Sequence, residues 1–232
     1  MCGRYVQASS PTLLAAHFGI EEIRIPEPKP DDEPYPQYNV APRSEMPIVA
    51  VSSGRRVLDR VRWGLVPYWA DDIKIGDRQI NARAESVATK PAFRRAFEKR
   101  RCIVPADGFY EWQAIEGRKQ KQPWFIHRTD GEPFAFAGLW ERWGEDDLRT
   151  FAIITTEAND TLTPIHHRMP VVLPESQWDR WLDPAFRDTA ALQDVLVPLP
   201  DAEVEAWPVS TLVNKADNDT PDLTTRVEVA SA

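Results

Sequence analysis

Cysteine is scarce in this sequence, which has only Cys2 and Cys102 among 232 residues. Two cysteines form at most one disulfide bond, so a small fold held together by several disulfides is excluded. The sequence also lacks the C-x-x-C and H-E-x-x-H spacings of common metal sites. We therefore expect two free thiols, no bound metal and no cofactor.

Long apolar runs are absent as well. A membrane-spanning helix needs about 20 consecutive apolar residues, and no stretch of the sequence approaches that length. The first residues do not combine a basic stretch with an apolar segment, so they do not resemble a secretory signal. These absences predict a cytoplasmic protein without a membrane partner.

Positive charge is in deficit, because 28 Lys and Arg face 36 Asp and Glu, a net charge of -8. General coating of nucleic acid depends mainly on Lys and Arg at phosphates, so that class of protein is excluded. One local exception holds six basic residues and a single acid, Glu98. The six are Lys90, Arg94, Arg95, Lys99, Arg100 and Arg101. Charge alone favours a solvated helix face there, and a localised anion site stays open.

Proline, by contrast, is abundant: the 21 prolines are nearly double the usual share of roughly 5%. They divide the chain into short elements. Short apolar runs predict strands at 61–66, 102–104, 109–112, 124–126, 134–139, 151–154 and 171–173. Helices are predicted at 12–18, 82–99, 175–182 and 189–195. Many short strands indicate a barrel-like or sandwiched sheet.

The chain is expected to form one domain over 1–232, with a peripheral tail after about residue 221. Residues 26–36 hold five prolines and four acids, which favours a surface crossing or a mobile loop. A domain boundary there would leave only about 25 residues upstream, too few for a core.

Cys2 is the most informative single residue, because removal of Met1 would place an amine and a thiol on adjacent carbons. An aldehyde condenses with such an amine to an imine, and the thiol then closes a five-membered thiazolidine ring. The same pair would suit an N-terminal nucleophile hydrolase, in which the amine activates the thiol. Position alone leaves a third option, in which Cys2 is merely a small residue.

Two further residues are candidates for acid-base chemistry. His166 lies in a proline-bracketed loop, where it suits a general acid or base or a structural hydrogen bond. Glu111 lies in an aromatic strand, where burial would raise its pKa. Alternation with Tyr110 and Trp112 instead favours an outward-facing Glu111.

Two more residues have a local interpretation. Asn81 precedes the predicted helix, so we predict that it is the N-cap. Trp69 follows a proline and a tyrosine, and it suits either an exposed platform for a nucleic-acid base or ordinary core packing.

Six short motifs in order make the sequence resemble the SOS response-associated peptidase (SRAP) family of abasic-site processing proteins. They are Met1-Cys2-Gly3-Arg4-Tyr5, Tyr38-Asn39-Val40-Ala41-Pro42, Trp63-Gly64-Leu65-Val66-Pro67, and the segments at 81–85, 108–112 and 166–170. Together they span nearly the whole chain, which makes the resemblance far more specific than any single motif.

The resemblance implies an α+β fold with a barrel-like, mainly antiparallel sheet flanked by short helices. It implies a catalytic group of Cys2, Asn81, Glu111 and His166, in which Cys2 crosslinks to abasic sites in single-stranded DNA. Asn81 would orient the new N-terminus, Glu111 would shuttle protons, and His166, titrating near 6.5, would serve the sugar hydroxyl. The implied DNA-contacting positions are Arg4, Asn39, Pro42, Trp69, Arg83, Thr155 and Arg168.

The resemblance also implies self-removal of Met1, a lyase-type activity as a further option, and a monomer associated with the nucleoid when bound to DNA. Two other classes of function stay open at this point. One is a cysteine peptidase that uses Cys2 with His166, and the other is a module that binds single-stranded nucleic acid without chemistry. A pure binder would tolerate Cys2→Ser, whereas a peptidase would act without DNA.

Overall fold

The computed structural model describes residues 2–25 and 36–228. Its strands are β1 (Tyr5–Gln7), β2 (Glu22–Ile23), β3 (Gln37–Val40), β4 (Glu45–Ser52), β5 (Arg55–Trp63), β6 (Asn81–Arg83), β7 (Arg101–Ala106), β8 (Gly108–Gln113), β9 (Gln122–Arg128), β10 (Phe134–Trp143), β11 (Leu148–Glu157), β12 (Arg168–Pro170) and β13 (Val204–Pro208). Its α-helices are α1 (Pro11–Phe18), α2 (Arg94–Lys99), α3 (Trp178–Leu182) and α4 (Thr189–Gln193). Almost all of the proline-rich segment, up to residue 35, lies outside these ranges.

Five strands close into a barrel in the order β11-β10-β7-β4-β5. The closing pair is parallel and joins Thr150 to Arg62 and Phe151 to Trp63, whereas the other four pairings are antiparallel. Strand β11 extends beyond the barrel, where it pairs with β6 and β12. A second, fully antiparallel sheet has the order β13-β9-β8-β1-β3. This arrangement confirms the predicted α+β fold with a barrel-like sheet and short helices.

The main core lies between the inner face of the barrel and the second sheet. Large aromatic side chains fill it, among them Trp63, Phe109 and Phe136. The outer face of the barrel is covered by the helices through residues such as Phe18 and Trp181. Burial of this apolar area is the main term that stabilises both layers.

The predicted helix at 82–99 is wrong over most of its length. Only Arg94–Lys99 is α-helical, and Asn81–Arg83 forms strand β6. The reason is the neighbouring β11, whose backbone pairs with residues 81–83 in parallel register. Asn81 is therefore a strand residue, and its predicted role as a helix cap is also wrong.

Arg101 fastens the helical layer to the barrel. Its guanidinium group donates hydrogen bonds to five backbone carbonyls at 2.5–2.8 Å. The acceptors are the carbonyls of Phe97, Glu98, Trp181, Asp183 and Phe186. Burial lowers the pKa of Arg101 to about 10, so the group stays charged at neutral pH. One side chain thus joins α2, β7 and the end of α3.

Candidate active site

Four residues from distant parts of the sequence meet beside the second sheet. Cys2 precedes β1, Asn81 begins β6, Glu111 lies in β8, and His166 lies just before β12. The Nδ2 atom of Asn81 donates to the carbonyl oxygen of Cys2 at 2.7 Å. The Nδ1 atom of His166 lies 3.9 Å from Oε1 of Glu111. The fold thus brings together the four residues that the resemblance implied as catalytic.

Cys2 is fully buried within the main core. Burial raises the pKa of its thiol well above the ordinary value, and the nearby Glu111 carboxylate raises it further. The sulfur is therefore a protonated thiol at neutral pH. Cys102 is equally buried in β7, and burial raises the pKa of its thiol in the same direction.

Asn81 reaches Cys2 because β6 runs alongside β11, with Asn81 opposite Ile153. This pairing fixes the backbone, so the side-chain amide points at the N-terminal segment. Its Oδ1 atom is buried and has no hydrogen-bond partner among the described residues. A buried acceptor without a partner costs about 1–3 kcal/mol, so Asn81 offers an open site for a donor next to Cys2.

Glu111 is only 4% exposed, so the outward-facing alternative is wrong. Alternation along β8 holds, because Phe109 lies in the main core and Tyr110 on the opposite face. That opposite face is itself covered by a third apolar cluster that includes Val213 and Leu223 from the C-terminal part of the chain. Both faces of β8 are thus buried, and burial raises the pKa of Glu111.

His166 is held by the backbone that follows it. The N–H of Arg168 donates to Nδ1 of His166 at 3.0 Å, and the carbonyl oxygen of Arg168 lies 3.2 Å from the same nitrogen. Burial lowers the pKa of His166 to about 4. The expectation of titration near 6.5 is therefore wrong, and the ring is neutral at physiological pH.

Two of the predicted DNA-contacting residues lie at the surface. Trp69 is 47% exposed, and a platform for a nucleic-acid base requires such exposure. Arg83 is exposed at the end of β6, two residues after Asn81. Pro42 is half-buried in the turn that follows β3. These three positions are at least partly accessible to a ligand.

The other four predicted DNA contacts already have partners inside the protein. Arg4 donates to Oδ1 of Asn39 at 2.8 Å and to the carbonyl of Val213 at 2.9 Å. The side-chain nitrogen of Asn39 donates to carbonyls of the C-terminal segment, with distances of 2.8–3.2 Å. Thr155 is 1% exposed, and its hydroxyl lies 3.5 Å from the carbonyl of Ala82. Arg4 and Asn39 therefore anchor residues 213–218 beside β1.

Arg168 is 8% exposed and forms a double hydrogen bond with Glu85. The two Nη–Oε distances are 2.6 and 3.1 Å, and Nη2 also donates to the carbonyl of Thr155 at 2.6 Å. This pairing lowers the pKa of Glu85. The motif at 81–85 contained Glu85, but sequence reasoning assigned it no role.

Tyr68 and Arg95 form a second feature that sequence reasoning did not connect. The guanidinium group of Arg95 lies 3.9 Å from the ring centroid of Tyr68, which is 52% exposed. Tyr68 adjoins Trp69 in sequence, and Arg95 belongs to the basic run at 90–101. The exposed aromatic residues Tyr68 and Trp69 are thus connected to the basic run through the contact of Tyr68 with Arg95.

Residues 2–25 and 36–228 contain neither a cluster of metal-ligating side chains nor a helix suited to span a membrane. No three His, Cys, Asp or Glu side chains in these ranges are grouped as metal ligands. None of the helices in the described part of the chain has both the length and the apolar character of a membrane span.

Comparisons with known proteins identify relatives along nearly the whole chain. A family model described as SOS response associated peptidase (SRAP) matches residues 1–216. The chain is 40% identical over 226 residues to the abasic site processing protein YoqW of Bacillus subtilis (strain 168), covering 96% of this chain and 98% of YoqW. It is 31% identical over 247 residues to the abasic site processing protein HMCES of Pongo abelii, covering 89% of this chain and 69% of HMCES.

Solved structures match the fold over a similar length. A protein from Bacteroides thetaiotaomicron has a TM-score of 0.84 at 27% identity, covering 98% of this chain and 100% of that chain. A phage-related protein from Bordetella bronchiseptica has a TM-score of 0.68 at 30% identity, covering 90% and 94%. These matches confirm the resemblance carried by the six motifs: the chain belongs to the SOS response associated peptidase (SRAP) family.

Proposed function

We propose that this protein captures abasic sites in single-stranded DNA by forming a thiazolidine between Cys2 and the sugar aldehyde, which protects the site during the response to DNA damage. The observation that carries the proposal is the contact of Asn81 with Cys2, close to the Glu111 carboxylate that lies 3.9 Å from His166. Relatives named abasic site processing proteins support the same function.

The chemistry requires that Cys2 be the first residue. Met1 lies outside the described residues, and its removal is part of the proposal. A free α-amine has a pKa near 7.7–8.0, so an appreciable fraction is uncharged at neutral pH. The buried Oδ1 atom of Asn81 would accept a hydrogen bond from this amine and hold its lone pair toward the aldehyde.

The first covalent step joins the amine nitrogen to the aldehyde carbon and gives a carbinolamine. Loss of water then requires a proton at the departing hydroxyl, and the bond electrons leave with that oxygen as the nitrogen forms the imine. Glu111 is the proposed donor, because burial raises its pKa and keeps more of the carboxyl group protonated near neutral pH.

The second step closes the ring. The Cys2 sulfur bonds to the imine carbon, the π electrons move to nitrogen, and the thiol proton is transferred to that nitrogen through Glu111. A thiol that burial keeps protonated does not compete with the amine for the aldehyde. It reacts once the more electrophilic imine has formed.

His166 is assigned to the sugar oxygen. The abasic sugar must open before its aldehyde can react: the C1′–O4′ bond breaks, its electrons and a proton go to O4′, and the C1′ hydroxyl loses its proton to solvent as the aldehyde forms. With Nδ1 engaged by the backbone of Arg168, the Nε2–H of His166 is the group available to donate toward O4′. Running in reverse, the same groups would release the crosslink.

The DNA strand is proposed to run over the exposed Trp69 and Arg83. Trp69 would stack on a base next to the abasic site, and Arg83 would contact a phosphate. Arg94 and Arg95 would extend this path along the basic run. Arg4, Asn39, Pro42, Thr155 and Arg168 are proposed to shape the groove, with Arg168 reaching phosphate only when it is released from Glu85.

Intact-protein mass spectrometry tests the function. The protein is mixed with a single strand that contains one abasic site, and with the same strand lacking it. The expected product has the mass of both partners less one water, lacks the mass of Met1, and forms only with the abasic strand. A stable adduct on protein that retains Met1, or none on protein that lacks it, would overturn the thiazolidine.

Self-removal of Met1 is part of the same proposal. If the candidate active site catalyses it, Glu111→Gln protein made in a cell-free system without aminopeptidase should retain Met1, whereas wild-type protein should lose it. Equal loss of Met1 from both proteins would contradict autoproteolysis, and it would leave the crosslinking chemistry to the mass spectrum of the adduct.

A further inference from the structure

We propose that the basic hairpin loop, residues 114–121 between β8 and β9, contacts the phosphates of the DNA strand that occupies the candidate active site. The inference rests on the proposed function and adds a binding surface to it. This loop contains Arg118, Lys119 and Lys121, and it played no part in the predictions from sequence.

The loop presents concentrated positive charge on an acidic protein. Three cationic side chains occur within four positions, the only acid in the loop is Glu116, and all three cations are exposed. They border an open depression of about 310 Å³. Its lining residues are Arg118, Lys119, Gln120, Lys121, Gln122 and Thr211. All six can donate hydrogen bonds, which suits an anionic ligand.

The position of the loop is fixed relative to the candidate active site. Gln113, the last residue of β8, donates to the carbonyl of Pro164 at 3.0 Å, in the segment that carries His166. The indole of Trp124 in β9 donates to Oε1 of Gln113 at 3.0 Å and holds that amide in place. The strand that carries Glu111 thus leads directly into the basic hairpin loop.

The electrostatic effect of Lys121 on Glu111 and His166 is consistent with a loop close to the candidate active site. Burial raises the pKa of Glu111 and lowers that of His166, and the charge of Lys121 lowers the pKa of both groups. A lysine that acts on both catalytic candidates lies close enough for a strand entering the site to meet it. Thr211 also lines the depression, and it neighbours the segment held by Arg4.

A nucleic-acid backbone fits this surface better than a base does. The exposed loop carries no aromatic side chain on which a base would stack. Lysine acts as a compact point charge that contacts phosphate without reading sequence. Such contacts are also needed here, because the guanidinium groups of Arg4 and Arg168 are engaged inside the protein.

The test compares two doubly substituted proteins that lose the same charge. One carries Lys119→Gln with Lys121→Gln. The control carries Arg55→Gln with Arg142→Gln. Both arginines are exposed and ion-paired, Arg55 at the start of β5 and Arg142 near the end of β10. Binding of each protein to an intact single strand without an abasic site is measured by fluorescence anisotropy at several salt concentrations.

The loop variant is expected to bind about 5- to 20-fold more weakly at low salt. Its slope of log K against log salt should fall by about 1.4, because each lost phosphate contact on a single strand contributes roughly 0.7. The control should change much less on both measures. Unchanged affinity and slope in the loop variant, or an equal change in the control, would overturn the proposal.

A crosslinking assay with an abasic strand, run beside the binding measurement, separates this proposal from the proposed function. Wild-type protein that binds the intact strand but never crosslinks to an abasic one would contradict the thiazolidine. The salt slopes would still decide the role of the basic hairpin loop.

Discussion

The side-chain amide of Asn81 contacts the carbonyl oxygen of Cys2 at 2.7 Å, so the residue that begins β6 fixes the position of the N-terminal segment. The amide nitrogen satisfies the Cys2 carbonyl, and the amide oxygen remains free of described partners. One side chain therefore orients the reactive residue and keeps an acceptor available for its amine.

Asn81→Ala should slow adduct formation at saturating DNA by about tenfold or more, because the amine loses its orientation. The fold should survive, since the backbone of β6 still pairs with β11. Single-turnover crosslinking rates and a thermal melt check both points. A variant with the wild-type rate would show that Asn81 serves only the fold.

Cys2→Ala should abolish the stable adduct, because no thiol remains to close the ring. The amine survives, so a slower imine should still be trapped by borohydride. Cys102→Ala is the matched control, because that thiol is equally buried but lies in β7. It should crosslink normally, at a packing cost of about 1 kcal/mol. Stable crosslinking by Cys2→Ala protein would disprove the role of Cys2.

The pH dependence of the crosslinking rate should reflect the ionisation of two groups, the α-amine of Cys2 and the carboxyl group of Glu111. The rate rises with pH as the amine loses its proton, and it falls again when Glu111 ionises above its raised pKa. Glu111→Gln should lower the rate on the order of 100-fold and remove the alkaline limb of the profile. Crosslinking rates of both proteins measured from pH 5 to 9 test this prediction. If the Glu111→Gln protein keeps the alkaline limb, that limb belongs to another titrating group.

His166 should not contribute a limb between pH 5 and 8, because its pKa of about 4 keeps the ring neutral throughout that range. His166→Ala should slow both formation and reversal of the adduct without shifting the profile. The pKa of His166 is lower in the folded than in the unfolded protein. His166 therefore contributes to the free energy of unfolding above about pH 6.5, and this contribution is lost as the pH falls toward 4. Lost DNA binding with normal rates would reduce His166 to a contact residue.

Glu85→Gln should increase affinity for single strands about three- to tenfold, because the neutral amide competes less well with phosphate for Arg168. Arg168→Ala should weaken binding instead. Glu145→Gln, in the hairpin between β10 and β11, removes the same charge elsewhere and serves as the control. Binding constants at matched salt check the order, and weaker binding by Glu85→Gln would show that the pair positions Arg168 rather than blocks it.

Arg101→Lys should lower the free energy of unfolding by about 2–4 kcal/mol. Lysine has three donors, so it cannot satisfy the five carbonyls that Arg101 binds. Urea titration measures the loss. Lys99→Gln, in the same helix-to-strand connection, should change stability by less than about 0.5 kcal/mol, and an equal loss there would contradict a specific role for Arg101.

Many of the strands could be predicted from the sequence, because a short apolar run indicates a buried strand at the same residues. The runs at 102–104, 109–112, 134–139 and 151–154 all lie in strands. The predicted helix at 12–18 agrees almost to the residue with α1, which Ser10 caps and Gly19 ends in the left-handed conformation. Strand β4 was missed, although it contains the uninterrupted apolar run Ile48–Val51 after Pro47.

The sequence by itself determined the family and the candidate residues, because six ordered motifs carry that information along the chain. Only the tertiary structure decided what each residue faces. Asn81 became a strand residue because β11 offered it an edge, and alternation around Glu111 did not mark an outward face because the C-terminal cluster also covers the Tyr110 face of β8. The local pattern could not register either partner, because both lie more than 70 positions away in the chain.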